Sequence, residues 1–258
     1  MSKFQKIKPS DTTIDSRFQR DLDEQRARAM ARAFNPDLVG VPVVSHRENG
    51  EYVRLDGQHR LAAAEMANRG EIPTLMEVHV GLSLREEAEL FLRLNGGRSS
   101  VRVFDKFKAR MVAHEPVALA IVATLKLVGL KIVKTSQRFG VCAIKAVELV
   151  HHKGNLEKTM RVLSAWADGG SESYEGPLVK AMSAFLAEYP NVEVVEIADR
   201  LHSHDPNKLI QRLRRTIGSY ECKPDEAARI VLRDIYNERR KKGLLPPPGR
   251  EHAQDAAE

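Results

Sequence analysis

The sequence predicts an α+β protein in which a mixed α/β domain precedes an all-helical one. Short β-branched runs alternate with helical segments through the first hundred residues, whereas after Arg102 the apolar residues recur mainly at helical spacing. The composition, with 42% hydrophobic and 29% charged residues, is typical of a globular chain. We therefore divide the chain into residues 1–110, residues 111–249 and a disordered tail over residues 250–258.

The first domain is expected to open with a helix and a short strand. The helix begins at residues 21–23 and ends near Pro36. Its expected apolar face consists of Leu22, Ala29, Met30 and Ala33. Residues 41–44 then predict a buried strand, in which Pro42 favours an edge position or the start of a strand.

A tight turn and a second strand come next. The dipeptide Asn49-Gly50 is typical of a turn that leads into a strand, here over residues 51–55. Alternation along that strand places Val53 and Leu55 inside and Tyr52 and Arg54 outside. The following expected elements are a helix over residues 61–67, a strand over residues 74–80 and a helix capped by Ser83 and Glu86.

Prolines mark the helices of the second domain. Pro177, Pro206 and Pro224 each stand where a helix is expected to begin. Residues 131–133 are an exception and predict a short strand or part of a small hairpin. Residues 137–141 faintly resemble the turn of a helix-turn-helix, but the helix before them would be very short, so we favour a strand-to-helix junction.

The turn at residues 56–60 carries the main chemical signal. Gly57 joins a strand to a helix, so free backbone N–H groups and the positive helix end converge on one spot, which suits a phosphate. Arg60 can add a two-pronged contact to phosphate oxygens. The candidate catalytic residues are Asp56, as magnesium ligand or proton acceptor, and His59, as acid or phosphate donor. Taken alone, the pattern also fits a plain connection between a strand and a helix.

Three short boxes place this turn in a wider pattern. Phe18-Gln19-Arg20 looks like an early arginine-containing box, residues 57–60 take the place of a GERR box, and Leu94-Asn95-Gly96-Gly97-Arg98 looks like an ENxxR box. In this order the boxes resemble the ParB N-terminal/sulfiredoxin superfamily, specifically its branch with a DGQHR-type turn from phage, plasmid and DNA-modification-associated proteins. The resemblance implies a ParB/sulfiredoxin-like fold for the first domain.

The resemblance also implies a nucleotide-binding set: Arg20, Gly57, Gln58, His59, Arg60, Asn95 and Arg98. Sulfiredoxins carry a cysteine where this chain has Gln58, so sulfinic acid reduction is not expected. ParB clamps carry two arginines where this chain has His59 and Arg60, so ATP and CTP are both candidates, each with magnesium. Free serine kinases of this fold carry a similar Asp-Gly-x-His-Arg turn, which keeps phosphoryl transfer open.

Basic residues indicate a polyanionic partner. The net charge is +6, and basic residues are concentrated over residues 98–114, which include Lys108, on the helix that begins at Pro206 and at residues 239–242. The candidate DNA contacts are Arg102, Lys106, Lys208, Arg212 and Arg215. For the last three, a solvated charged face on a core helix is the alternative. Residues 236–240 also resemble a stretch near the end of phage and plasmid ParB-like proteins.

These observations predict a ParB-like protein that binds a nucleoside triphosphate, as switch or substrate, and works with DNA. The alternatives are a nucleotide-dependent phosphotransferase similar to a serine kinase, a nuclease of the same fold, and a binding module without turnover. The expected partners are the nucleotide, DNA and a second copy of the chain. The sequence lacks both an apolar run long enough for a bilayer and a signal-peptide core, so we expect a cytoplasmic protein without a membrane partner.

Overall fold

The computed structural model describes residues 2–96 and 101–249. Within these residues the protein is α+β, as expected, with seven strands and eleven α-helices. The chain divides into two units, Met1–Leu119 and Ala120–Glu258, whereas the sequence placed the boundary at residue 110. Arg98 and the tail expected over residues 250–258 lie outside the described residues.

Five strands of the first unit form one mixed sheet. They are β1 (Ser2–Ile7), β2 (Thr12–Thr13), β3 (Val43–His46), β4 (Tyr52–Asp56) and β5 (Thr74–Val80). Their order is β1-β5-β3-β4-β2, in which the β1/β5 and β3/β4 pairs are antiparallel and the β5/β3 and β4/β2 pairs are parallel. Strand β1 was not predicted, because only Ile7 at its end is buried and the strand carries no apolar alternation.

Strand β3 lies in the middle of the sheet, between β5 and β4. Pro42 directly precedes it, and the carbonyl of Pro42 accepts a hydrogen bond from the N–H of Glu77 at 2.9 Å. Pro42 predicted either an edge strand or the start of a strand. It stands at the start of a strand, and the prediction of an edge strand was wrong. A proline there costs the sheet little, because the missing N–H falls just before the strand.

The first unit contains four complete helices, and a fifth crosses its boundary. They are α1 (Glu24–Arg32), α2 (Gln58–Met66), α3 (Leu84–Asn95), α4 (Val103–Val112) and α5 (Pro116–Leu127). Asp23 caps α1 by accepting a hydrogen bond from the N–H of Arg26. The expected apolar face of α1 was partly wrong, because Ala27 is its buried residue and Ala29 is exposed.

Apolar clusters cover both faces of this sheet. Neighbouring residues Val43 and Val44 belong to different clusters, since successive residues of a strand point to opposite faces. One cluster contains Phe18, Val43, Val53, Leu55 and Phe91, and the other contains Ile7, Val44, Leu61, Met76 and Val78.

Burial on both faces corrects the expectation for Arg54, which was placed outside. Its residue exposure is only 4%. The guanidinium donates to the Thr12 hydroxyl at 2.6 Å and to the Pro9 carbonyl at 3.0 Å, and it forms an ion pair with Glu65. Alternation correctly placed Val53 and Leu55 on one face of the sheet and Arg54 on the other. The face that carries Arg54 is also covered by protein, so Arg54 is not exposed to solvent.

The second unit is helical apart from a small ribbon. Its strands, β6 (Lys131–Ile132) and β7 (Gly140–Val141), pair in parallel. The expectation of an all-helical domain is therefore corrected. The helices wholly within it are α6 (Ile144–His152), α7 (Leu156–Trp166), α8 (Gly176–Glu188), α9 (Val194–Leu201), α10 (Pro206–Tyr220) and α11 (Pro224–Asn237). Strand β7 followed by α6 is a strand-to-helix junction, which was preferred over a helix-turn-helix. In the described ranges, no helix has the length and apolarity that crossing a membrane requires.

Candidate functional site

Gly57 separates β4 from α2 and has a left-handed backbone, with φ of 86°. A Cβ atom at this position would lie 2.9 Å from Cβ of Pro42 and 3.2 Å from Nη2 of Arg60. Conformation and close approach therefore both require glycine here. The N–H groups of the first turn of α2 have no acceptor within the helix, so the turn presents donors at the positive end of the helix.

Arg60 lies one turn into α2 and links three parts of the site. Its Nη1 donates to the carbonyl of Val39, and its Nη2 donates to Oδ2 of Asp56 at 3.2 Å. The side chains of Arg60 and Asp56 are 26% and 14% exposed. The guanidinium is thus held against the turn while one part of it faces solvent.

His59 is surrounded by hydrogen-bond donors. Its residue exposure is 6%, and its Nε2 lies 3.3 Å from the backbone nitrogen of Asp23 and its Nδ1 3.4 Å from Nη2 of Arg20. Burial lowers the pKa of His59 below its ordinary value of 6.5, and the charges of Arg20 and Arg26 lower it further. A neutral imidazole has one acceptor nitrogen, so it cannot accept from both donors at once.

Gln58 is buried beside His59, with 4% exposure. Its Nε2 donates to the carbonyl of Arg20 at 3.2 Å, which ties the early arginine box to the turn. Its Oε1 has no hydrogen-bond partner within the described part of the chain. A buried acceptor without a donor costs about 1–3 kcal/mol, so this oxygen is an unsatisfied polar atom beside the turn.

Two residues outside the predicted set position Arg20. Gln19 is 2% exposed, and its Nε2 donates to the carbonyl of Arg54 at 2.9 Å. The ammonium of Lys108 donates to the carbonyls of Ser16, at 2.9 Å, and Gln19. Lys108 therefore fixes the loop before Arg20 to α4. The sequence showed Lys108 only as part of a basic run, and no local pattern indicates so distant a contact.

A charged network holds the same loop from its other end. Arg47 donates to Oδ2 of Asp15 at 2.7 Å and to both carboxylate oxygens of Glu87. Arg17 also donates to Asp15, and these contacts hold the pKa of Asp15 well below its ordinary value against the opposing effect of burial. Since the Glu87 side chain has no exposed surface, Arg47 compensates a fully buried charge.

An apolar pocket of about 250 Å³ adjoins Arg60. Arg60 and Ala63 of α2 line one side of it. The other lining residues come from α1 and the segment after it: Met30, Ala33, Phe34, Asn35, Leu38 and Val39. Arg60 thus contacts Asp56 at the turn and also lines an apolar space.

The third box is only partly described. Asn95 ends α3, is 4% exposed, and donates from its amide to the carbonyl of Phe91 at 2.9 Å. Arg98 lies outside the described residues. The structure therefore brings together Arg20, Gly57, Gln58, His59 and Arg60, and it shows Asn95 bonded within its own helix.

The candidate DNA contacts lie on two helices, one in each unit. Arg102 is exposed at the N-cap of α4, and Lys106 is half-buried one turn later. On α10, Lys208 and Arg215 are exposed and Arg212 is half-buried, while the opposite face of the helix is buried.

Comparison with known families gives one match. The model of DUF6551, a family of unknown function, matches residues 14–232, which are most of the chain and include the glycine turn. No curated protein matches the chain. Because the match covers well over half of the sequence, the chain belongs to the DUF6551 family.

Proposed function

We propose that this protein binds a nucleoside triphosphate through its phosphates at residues 56–60, in the manner of a ParB-like protein that works with DNA. The observation that carries the proposal is that Nη2 of Arg20 lies 3.4 Å from Nδ1 of His59 at the N-terminus of α2, where Gly57 forms the left-handed turn and Arg60 follows one turn later. The nucleotide acts as a switch or as a substrate. A mixed sheet in the first unit is compatible with a ParB/sulfiredoxin-like first domain.

The charges around His59 favour an anionic ligand. Arg20 and Arg26 lower its pKa, while Asp23 is the acidic residue that opposes them. A phosphate group would accept hydrogen bonds from Arg20 and from the first turn of α2, and it would allow His59 to take up a proton and donate as well. The lowered pKa argues that in the free protein His59 is an acceptor rather than a general acid.

The neighbouring pocket suits the other end of a nucleotide. Its volume of about 250 Å³ is below the roughly 300–1,000 Å³ of pockets for drug-sized ligands, so it suits one ring system rather than a whole nucleotide. The apolar lining favours a flat base, with Arg60 between base and phosphates. The unpaired Oε1 of Gln58 gives a place for a sugar hydroxyl or a base amine.

Asp56 is the residue that would hold magnesium. Magnesium bound with a nucleotide usually takes one or two protein carboxylates, and the phosphates and water supply its remaining oxygens. A single carboxylate at the end of β4 fits this pattern, although its Oδ2 is already an acceptor for Arg60. Bound there, the metal would offset the repulsion between Asp56 and phosphate.

The same carboxylate supports a second candidate function, a nucleotide-dependent phosphotransferase. Asp56 is half-buried and next to the phosphate-binding glycine, where a proton acceptor for an incoming hydroxyl would stand. Phosphoryl transfer depends mainly on positioning and charge stabilisation, and arginines with magnesium supply both. Phosphate release measured with and without DNA separates a DNA-stimulated switch from an enzyme that acts on a small molecule.

An NMR titration tests the nucleotide proposal. Magnesium complexes of ATP, CTP and GTP are added to isotopically labelled protein, and the amide signals of Gly57, Gln58, His59 and Arg60 are followed. We expect saturable shifts at these residues with at least one nucleotide. If none of the three shifts the turn at millimolar concentration, the proposal is wrong.

A salt-dependent binding assay tests the DNA part. Lys208, Arg212 and Arg215 are replaced together by glutamate, which should weaken binding to any duplex by a similar factor and reduce the salt dependence, because fewer counterions are released. The matched control replaces Arg161, Arg233 and Lys158 by glutamate, since these basic residues of other helices bond within the protein. Equal behaviour of both triple variants would place the α10 residues on an ordinary solvated face.

A further inference from the structure

The helical unit contains a groove that the nucleotide proposal does not use. Its cavity volume is about 830 Å³, within the range of roughly 300–1,000 Å³ that is typical of sites for small organic ligands. It lies between α8, α10 and the first turn of α11.

The floor of the groove is apolar. Ile210, Leu213 and Ile217 lie three and four residues apart on α10 and therefore share one face of that helix. Ala181 of α8 lies across from them. Ile210 and Leu213 are buried, whereas Ile217 is half-buried and presents apolar surface to the open part of the groove.

The rim of the groove carries three exposed cations: Lys180, Arg214 and Lys223. Their side chains form no hydrogen bond or ion pair with any residue in the described ranges. Two other charged lining residues have partners, because Asp225 pairs with Lys153 at 2.9 Å and Arg229 pairs with Glu188 at 3.3 Å.

Glu226 is the remaining charged residue of the lining. Three uncompensated cations against one carboxylate leave the groove positive. An apolar floor below a positive rim selects a ligand that has both an anionic group and an apolar body.

We propose that this groove binds a small amphiphilic anion, with its carboxylate, phosphate or sulfate group at Lys180, Arg214 and Lys223 and its apolar body along Ile210, Leu213 and Ile217. The site is independent of the nucleotide turn and lies on a different face of α10 from Lys208, Arg212 and Arg215. DNA phosphates could bind the cations of the rim but would bury no apolar surface against the floor. The apolar floor therefore favours a small amphiphilic ligand over DNA at this groove.

The test uses octyl phosphate as the probe and protein labelled at isoleucine and leucine methyl groups. We expect saturable shifts at Ile210, Leu213 and Ile217. Octanol, which has the apolar body alone, and inorganic phosphate, which has the charge alone, should each bind at least about tenfold more weakly, since each loses one half of the contacts. Absence of saturable floor shifts, or equal binding of octanol, would overturn the proposal.

Variants separate the rim from general charge effects. Replacing Lys180, Arg214 and Lys223 by glutamine should weaken octyl phosphate binding by at least about tenfold, the equivalent of one lost charged hydrogen bond. The control variant makes the same replacement by glutamine at three exposed lysines outside the groove, Lys126, Lys131 and Lys145. It should bind octyl phosphate like the parent protein. The single variant Arg214→Gln repeats the test if the triple variant does not fold. Parent-like binding by every folded rim variant would contradict the proposed site.

Discussion

Arg60 donates a hydrogen bond to Asp56 across the left-handed glycine, with Nη2 and Oδ2 3.2 Å apart. In the free protein the principal cation and the principal anion of the turn therefore partly neutralise each other. A phosphate that binds Arg60 competes with Asp56, and a metal ion that binds Asp56 releases Arg60. This pair would allow a carboxylate to stand next to the proposed phosphate site.

Replacing Asp56 by asparagine tests its chemical role. Asparagine keeps an acceptor for Arg60 but cannot take a proton or bind magnesium well. We expect the nucleotide still to bind, whereas phosphate release falls by at least about a hundredfold, a typical contribution of a general base. Calorimetry and a phosphate-release assay measure the two effects. Parent-like turnover would remove Asp56 from the catalytic residues and favour a binding module.

Gly57→Ala is predicted to damage both stability and binding, and Gly50→Ala provides a matched control. Both glycines have φ near +87°, with values of 86° and 88°. Alanine in this conformation costs about 1–2 kcal/mol at either site. At Gly50 an added Cβ meets nothing within 4 Å, whereas at Gly57 it meets Pro42 and Arg60. Urea unfolding should show a larger loss of stability in Gly57→Ala than in Gly50→Ala. Nucleotide titration should show a loss of affinity in Gly57→Ala and none in Gly50→Ala. Equal effects would show that the close contact is unimportant.

The histidine at the turn predicts a pH dependence. Because the pKa of His59 is lowered in the folded protein, the unfolded chain takes up this proton first, and stability should fall as the pH drops below 6.5. A bound phosphate raises the same pKa, so nucleotide affinity should rise as the pH falls through this region.

NMR titration of the His59 ring between about pH 5 and 8, with and without nucleotide, measures that shift directly. The variant His59→Gln separates the effect of His59 protonation on nucleotide affinity from the effect of protonating the nucleotide itself. An unchanged pKa in the complex would place the phosphate away from His59.

Arg47→Met is predicted to destabilise the fold strongly, because it leaves the buried carboxylate of Glu87 without its partner. Breaking a buried pair in this way costs about 3–5 kcal/mol. Arg85→Met removes an exposed ion pair with Glu89 on α3, the helix that carries Glu87, and should cost less than about 1 kcal/mol. Denaturant unfolding of both variants measures the difference. Similar losses for the two variants would contradict a structural role for the network.

Local patterns predicted the elements of this fold well. Strand β5 has its expected bounds, Ser83 and Glu86 form the expected capping box, and Pro177, Pro206 and Pro224 each lie in the first turn of a helix. These signals depend on residues close in sequence, where backbone preferences and caps decide the outcome.

Long-range contacts were not predictable in the same way. Strand β1 is specified by its pairing with β5 rather than by its own polar sequence, and Arg54 is buried because a second layer covers its face. At the candidate site, Gly57 and Arg60 were found from the turn itself. Gln19 and Lys108, which position Arg20, act through partners far away along the chain.

Calorimetric titration of magnesium nucleotide into the parent protein and Arg60→Ala tests the central claim most directly. The control is Arg28→Ala, which removes an exposed arginine that pairs with Glu24 on α1. The account predicts that Arg60→Ala weakens binding by about 1.5–3 kcal/mol, the value of a hydrogen bond to a charged group, and that Arg28→Ala binds like the parent. Equal affinities of Arg60→Ala and the parent would contradict phosphate binding at this turn.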